Sequence, residues 1–318
     1  MPLVSVVILN YQNSEETVGC LSSLEKQRYP HFEVVLVDNA SSLEHRERLD
    51  QYADHSNLDL RLIALDANRG CAGGRNEGAR HATGDYIAFL DSDTVVDEDW
   101  LRELIEPFLL DTAQTIGATT STIRNYFQPD VVEYGGLSAL NIFGQADAST
   151  TVQPSSETRV IAGASFVLPR WAIDELGELF SPVYFFWWED LDVSWRLCTL
   201  GYRLEYVPTS VVLHRVTSRE KRKGPATIPL KVRNKYLTFY RNLALGRFVL
   251  IFPLLFALDL VIGLGTLLAR REVRTIGATL KGVGQFLQTL PRVKRYGGGT
   301  FSYLDKRVYL HRLMSNRT

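Results

Sequence analysis

The sequence predicts an α/β fold: a doubly wound, mostly parallel sheet followed by a basic helical region. Three observations predict it. Strand-like apolar runs alternate with helical patterns through the first part of the chain, which is the rhythm of successive βαβ units. One of those runs, Tyr86 to Leu90, is apolar at all five positions between turn residues, so it reads as a strand covered on both faces. The charge then changes sign: residues 1–214 carry 14 Lys+Arg against 32 Asp+Glu, and residues 215–318 carry 21 against 4. An acidic front and a basic rear imply that the rear faces something anionic, a membrane surface or a nucleic acid.

The elements follow in order. Strands are expected at Leu3 to Leu9, Phe32 to Val37, Leu58 to Leu65, Tyr86 to Leu90 and Thr115 to Ile123. The first helix starts at Asn13 or Ser14 as N-cap, with Glu15 and Glu16 in its first turn and Val18, Leu21 and Leu24 on one face. A second clear helix runs from Asp99 through Leu110. Residues 124–158, rich in Gly, Ser, Thr and Asn, read as a long surface excursion on the acceptor side. The boundary between a catalytic unit, 1–218, and a basic, partly hydrophobic helical tail, 219–318, follows from the composition shift.

Within the tail, Phe248 to Ala269 is apolar apart from Asp259, Thr266 and glycines. A helix of that length reaches about 33 Å, enough to cross a bilayer. Basic residues flank it on both sides, Arg241 and Arg247 before and Arg270, Arg271 and Arg274 after, whereas a single span carries its excess on one side. Asp259 adds a further cost to burial in lipid. A re-entrant or interfacial helix pair is therefore expected. Its second stripe, Val273, Ile276, Leu280, Val283, Leu287 and Leu290, would lie at the headgroup boundary, with Arg274 and Lys281 on the wet side. The alternatives are a helical hairpin packed on the catalytic unit or a homodimer interface. Three scattered cysteines, Cys20, Cys71 and Cys198, indicate neither a disulfide framework nor a zinc site, and the opening residues read as a first core strand rather than a leader. A cytoplasmic location fits.

The chemistry-bearing residues cluster at strand exits. Asp91-Ser92-Asp93 follows the buried run directly, where ligands of such sheets bind. Two carboxylates at i and i+2 can turn toward one Mg²⁺ or Mn²⁺; the alternative is an acidic loop capping the next helix. Asp38 ends the second strand and can accept from the imide N–H of a uracil or thymine, with Asn10, Tyr11 and Asn13 packing beside the base. An Asx turn is its alternative. The glycine-dense segment from Asn68 to Gly78, including Gly70, Gly73 and Asn76, opens a helix, and its backbone amides could meet a pyrophosphate or ribose. It matches neither a dinucleotide fingerprint nor a P-loop. Aromatic residues Phe185 to Trp188 precede Glu189 and Asp190, so sugar stacking on Trp187 and Trp188 and a general base at the following helix are readable there. A core aromatic belt with dipole-favoured acids is the alternative. His214 at a strand exit could supply a third metal ligand.

Taken in order, Val4 to Asn10, Val37 to Ser41, Asn68 to Gly78, Asp91-Ser92-Asp93, Gly163-Ala164 before Pro169-Arg170, Glu189-Asp190 and His214 resemble the GT-A glycosyltransferases of family 2 over about residues 3–218. The similarity looks closest to the rhamnosyltransferase-like branch, whose members build cell-envelope polysaccharides on lipid carriers. The resemblance implies that Asp38 binds the nucleotide base, that Asp91 and Asp93 hold metal and diphosphate with His214 touching the metal, and that Asp190 is the catalytic base beside Glu189. Ser92 joins the donor contacts, and Gly163 the acceptor side. It further implies an inverting reaction, a UDP- or dTDP-sugar donor, Mg²⁺ or Mn²⁺, and a glycan or polyprenyl-linked acceptor. The place of work would be the inner face of the plasma membrane. Arg75 stands where a smaller polar residue is often seen, and Val193 where Leu is frequent.

Two rivals are weaker. A nucleotidyltransferase would open with a Gly-rich basic loop after the first strand, and Asn10 to Asn13 offers none. A non-catalytic module could bind membrane or nucleic acid through the basic rear, but long apolar sequence accompanies those charges, which favours lipid over nucleic acid.

Overall fold

The computed structural model describes residues 1–136, 139–140, 146–147, 149–215, 227–270 and 274–297. The first half alternates as expected: β1 (Val4–Asn10), α1 (Ser14–Leu24), β2 (Phe32–Asp38), α2 (Leu43–His55), β3 (Leu60–Ala64), α3 (Gly70–His81), β4 (Tyr86–Asp91), β5 (Thr94–Val96), α4 (Trp100–Leu110) and β6 (Ile116–Asn125). Short strands β7 (Val132–Tyr134), β8 (Ala139–Leu140), β9 (Ala146–Asp147) and β10 (Ser156–Thr158) break up the expected excursion, part of which lies outside the described residues. Then come β11 (Ser165–Pro169), α5 (Arg170–Leu176), α6 (Glu189–Thr199), β12 (Arg203–His214), α7 (Ile228–Asn242), α8 (Leu245–Arg270) and α9 (Arg274–Thr289).

The main sheet runs β10-β12-β6-β11-β4-β1-β2-β3. β1 pairs in parallel with β2 and β4, β2 with β3, and β6 with β12. Antiparallel β11 bridges β4 and β6, so β1, β2, β3, β4, β6 and β12 all point one way. Their carboxyl ends line one edge: Asn10 pairs with Asp38, Leu9 with Asp91, and His214 with Asn125. After β1 the chain moves outward to β2 and β3, then returns to β4 on the other side of β1. That makes β1/β4 the topological switch point, the place where ligands of such sheets bind.

Layering explains the sequence pattern. Val34, Val35, Leu36 and Val37 of β2 are all fully buried because helices cover both faces. Trp100, at the start of α4, is also fully buried, and its indole N–H donates to Ser165 Oγ at 2.8 Å, tying α4 to β11. Burial of a large apolar side chain of this kind contributes about 1.5–3 kcal/mol.

The tail is laced to this core. Tyr236, Leu237, Phe239, Leu243, Phe248, Leu255 and Phe286 belong to the same apolar cluster as Val7, Val35 and Phe89, so the core crosses the boundary expected at 218/219. α8 is one continuous helix, and Leu245–Gly265 within it is long and apolar enough to cross a membrane by length and composition, with 17% of it buried in the protein. Asp259 is neutralised rather than exposed: Lys235 Nζ and Tyr236 Oη each reach it at 2.5 Å. α9 packs back on α7 and α8. Thr275, Thr279 and Phe286 are buried, and a β-carbon at Gly282 would meet Pro229 O at 2.7 Å. The expected lipid-facing stripe is therefore corrected in part. Val283 packs against the apolar core and Ile276 lies against Gly263 of α8, because the helices approach closely at glycines, while Leu280 and Leu287 remain exposed. Arg271, Val273, the polar stretch 216–226 and residues 298–318 of the expected tail lie outside the described residues.

Candidate active site

The site is assembled from strand exits. At the end of β1, Asn10 is fully buried, and its amide donates to Asp38 Oδ1 at 2.8 Å and to Ser41 Oγ at 3.0 Å. Ser41 N–H donates to Asp38 Oδ2 at 3.2 Å, so the carboxylate is fixed inside an Asx-type turn. Tyr11 is about half exposed on the loop that follows. Asn13 stands at the N-cap of α1 without a side-chain capping bond.

One strand over, β4 ends in Asp91, and Ser92 and Asp93 are each 9% exposed. β5 turns back after them and pairs with β12, which brings Thr94 opposite His214. One ligand atom each from Asp91, Asp93 and His214 lies within 4.8 Å of the others. Two carboxylates and an imidazole fit Mg²⁺ or Mn²⁺. His214 Nε2 is 3.3 Å from Asp93 Oδ1, and its Nδ1 is 3.2 Å from Glu133 Oε2. Burial of the imidazole works against its charge, but bonds to Asp93 and Glu133 and the nearby Asp91 outweigh it and raise its pKa to about 10.

Behind Asp91 lies Arg75, 4% exposed on α3. Its Nη2 donates to Asp91 Oδ1 at 2.7 Å and to Gly163 O at 2.6 Å, and its Nη1 reaches Glu189 Oε1 at 3.3 Å. Phe166 and Phe180 face the guanidinium at 5.7 and 5.9 Å. Burial disfavours this charge, and Cys71, Asp91, Glu189 and Asp190 around it more than offset that, so its pKa rises.

Glu189 and Asp190 open α6 but part company. Glu189 is 4% exposed and turned inward to Arg75, so its carboxylate is engaged with the guanidinium. Asp190 is half-buried and accepts from Leu191 N–H at 2.8 Å through Oδ1. A β-carbon at Gly163 would come 2.5 Å from Asp190 Oδ2, which explains a glycine there. Burial, then the Glu189 charge, push the Asp190 pKa up to about 7 against the pull of Arg75.

The aromatic turn before α6 is strained. Phe185, Trp187 and Trp188 have φ of 61°, 67° and 76°. The left-handed region costs a residue with a β-carbon about 1–2 kcal/mol. Two α7 side chains hold it there. Asn234 Nδ2 donates to the carbonyls of Tyr184, Phe186 and Trp187 at 3.0, 2.8 and 2.9 Å, and Arg233 Nη2 to those of Val183 and Tyr184 at 2.7 and 2.9 Å. Trp187 lies under Lys231 Nζ at 4.5 Å.

The glycine-dense segment does different work from that expected. Gly70 and Gly73 are buried, and the Gly70 amide is already donated to Asn68 Oδ1 at 2.8 Å. β-Carbons at Gly74 and Gly78 would collide with Leu9 and Val7, so these glycines let α3 lie close on β1. Asn68 also accepts from Asn39 at 3.1 Å, and Asn76 clasps the Phe180 backbone through its amide nitrogen at 2.6 Å and its oxygen at 3.1 Å. The Gly70 amide and the Asn68 and Asn76 side chains are thus engaged in ordering the loop and helix. Sequence reasoning missed Glu133 and Asn234 altogether, and registered Arg75 only as a departure. Each is a single polar residue whose bond to the site crosses the fold: Glu133 to His214, Arg75 to Asp91 and Asn234 to the turn before α6.

Comparison with known proteins agrees with this geometry. The model described as Glycosyl transferase family 2 matches residues 5–136, and that described as Glycosyl transferase family group 2 matches residues 86–315. Poly-beta-1,6-N-acetyl-D-glucosamine synthase of Staphylococcus epidermidis is 27% identical over 209 residues, 65% of this chain and 48% of that protein. The Staphylococcus aureus (strain COL) protein of the same name is 29% identical over 214 residues, with the same two shares. The chain thus spans about half the length of these curated relatives. Among solved structures, GalNAc-T7 with UDP, GalNAc and Mn²⁺ superposes with a TM-score of 0.61 at 21% identity, over 76% of this chain and 50% of that one. The Pyrobaculum calidifontis mannosyltransferase PcManGT with GDP-Man and Mn²⁺ gives 0.56 at 20% identity, over 99% and 80%. These structural matches establish a GT-A-like fold. With a family model covering most of its length, the chain belongs to the glycosyl transferases of family group 2.

Proposed function

We propose that the chain is an inverting, metal-dependent glycosyltransferase that moves a sugar from a nucleoside diphosphate to a glycan or polyprenyl-linked acceptor in cell-envelope polysaccharide synthesis. The observation that carries it is the convergence at one sheet edge of Asp91, Asp93 and His214, joined through Arg75 and Gly163 to Asp190.

Asp91, Asp93 and His214 would hold Mg²⁺ or Mn²⁺, which supplies charge neutralisation for the departing diphosphate. Asp38 and the Asn10–Asn13 loop receive the base, with Tyr11 beside it. Asp190 takes the proton of the attacking acceptor hydroxyl on Oδ2, since Oδ1 is engaged by the Leu191 amide. Attack on C1 from the face opposite the diphosphate inverts that carbon. Trp187 and Trp188, part-buried three and two residues before Asp190, are the aromatic side chains that would stack on a sugar.

The donor sugar is the finer question. The resemblance of motifs favours rhamnose from a UDP or dTDP carrier, whereas relatives carry N-acetylglucosamine in their names and a fold neighbour holds GDP-Man. The exposed apolar face of α8 and the positive charge of residues 215–318 support attachment to the inner face of the plasma membrane. The test is a screen of UDP-, dTDP- and GDP-sugars with Mn²⁺. A matched donor raises the melting midpoint by mass action and is consumed when acceptor is added. No stabilisation and no turnover with any of them would sink the proposal.

A further inference from the structure

We infer that Asn234, on α7 in the C-terminal part of the chain, is the positioning residue that holds the Asp190-bearing turn in its strained form. This rests on the glycosyltransfer reading above. Three non-glycine residues of the turn, Phe185, Trp187 and Trp188, lie in the left-handed region, and Trp188 is itself the N-cap of the helix that presents Asp190. Locally the turn has backbone bonds from Phe185 N–H to Pro182 O at 3.2 Å and from Phe186 N–H to Tyr184 O at 2.7 Å, but Trp188 makes no side-chain capping bond. A further restraint comes from about fifty residues away. One fully buried amide nitrogen donates to three turn carbonyls, those of Tyr184, Phe186 and Trp187, and the adjacent Arg233 donates to Tyr184 and its predecessor. From the opposite side, Cys71 N–H donates to Phe185 O at 2.5 Å, pinning the turn to the start of α3.

The geometry separates two functions. The carboxylates and imidazole of the metal site sit on β4, its exit and β12, and the bonds of Asp91 and His214 run to Arg75, Asp93 and Glu133. Releasing the clamp should therefore displace Asp190 and leave donor binding intact. The helix that does the clamping continues into Lys235 and Tyr236, which hold Asp259 of α8, so the apolar helix pair is mechanically joined to the base-bearing turn.

The experiment compares the full-length chain with Asn234→Ala and with the milder Arg233→Met. Three quantities are read: kcat for transfer, the Kd of Mn²⁺ with UDP or GDP, and amide exchange over residues 184–191. For Asn234→Ala, kcat should fall by about a hundredfold, the size of effect that an ångström of misplacement produces, with the nucleotide Kd within about threefold of wild type. Exchange over 184–191 should quicken while the strands stay protected. Arg233→Met should show the same pattern at about a tenth of the size. A folded Asn234→Ala protein with kcat within about threefold of wild type overturns the inference, as does a loss of kcat and nucleotide affinity in equal proportion. If Asn234→Ala does not fold, Arg233→Met decides, and unchanged exchange over 184–191 overturns it. If the wild-type chain transfers no sugar, the functional reading fails, and the exchange measurement still tests the clamp.

Discussion

Arg75 donates to Asp91 at 2.7 Å through one nitrogen and reaches Glu189 at 3.3 Å through another, so a single buried cation joins the carboxylate of the proposed metal site to the helix that carries the proposed base. The arrangement has an electrostatic logic. Asp91, Glu189 and Asp190 would repel one another in a desolvated space, and the guanidinium fork offers several donors at fixed angles with a charge that does not titrate away.

Removing that fork should be costly. Arg75→Met leaves Glu189 buried without a counter-charge, and one of its oxygens already lacks a hydrogen-bond partner. Breaking a buried pair from one side costs about 3–5 kcal/mol. Urea unfolding should show a loss in this range, and Arg75→Lys should recover only part of it because an ammonium cannot span both carboxylates. A loss under about 1 kcal/mol for Arg75→Met would contradict the bridging role.

Asp190→Asn should reduce transfer by about a hundredfold or more with nucleotide affinity retained, the range typical of a lost general base. The raised pKa gives a pH signature. Only the ionised carboxylate accepts a proton, so kcat should climb as pH rises through about 7 and level above it. The stability sign is opposite. The folded state holds this proton more tightly than the unfolded chain, so between about pH 4 and pH 7 rising pH removes stability. Asp190→Asn should flatten both profiles, in steady-state rates and in unfolding midpoints.

Apart from Asp190, which was read at the start of a helix after an aromatic run, the parts of this site that were legible in the sequence share one property: they sit where a strand ends. Asp38, Asp91, Asp93 and His214 could be located because a buried apolar run has only one exit at its carboxyl end, and parallel pairing brings those exits together. What escaped depends on contacts across the fold. The glycines of α3 read as open amides, because close helix–strand approach and anion binding call for the same residue; only the positions of Leu9 and Val7 decide between them. The α9 stripe had a periodicity that fits lipid or protein equally. Asn234 carried no signal, since its partners are backbone carbonyls whose unusual φ values no propensity predicts.

Metal binding should release a proton. With its pKa raised to about 10, His214 is protonated at neutral pH in the metal-free chain, and an imidazolium cannot ligate. Titration with Mn²⁺ in buffers of different ionisation heat should therefore reveal proton release, and affinity should rise by up to about tenfold per pH unit between 6.5 and 8.5. Without metal, the same charged pair stabilises the fold fully below the unfolded histidine pKa of about 6.5 and loses that contribution as pH rises through about 10. Glu133→Gln removes one of the carboxylates that hold the proton on His214, so the rise of Mn²⁺ affinity should move to lower pH, while His214→Ala should lower affinity at every pH and abolish the proton release.

The outer face of α8 offers a separate test, because it can be altered without touching the site. Leu250 and Leu254 are 75% and 69% exposed, so Leu250→Glu with Leu254→Glu removes little packing, and the melting midpoint should move by only a degree or two. If the face rests in lipid, each leucine contributes about 1.5–3 kcal/mol to attachment, and the double variant should lose at least about a hundredfold in affinity for anionic vesicles by co-sedimentation. Wild-type binding should also weaken as salt is raised, since basic residues near an anionic surface contribute about 1 kcal/mol each. The Asp259→Ala change should behave differently. It strips Lys235, 8% exposed, of its partner inside the helix pair, so it should lower stability by about 3 kcal/mol through an unpaired buried charge, in vesicles or out of them. Vesicle binding that survives the double glutamate variant at full strength would show that α8 is covered by something other than lipid.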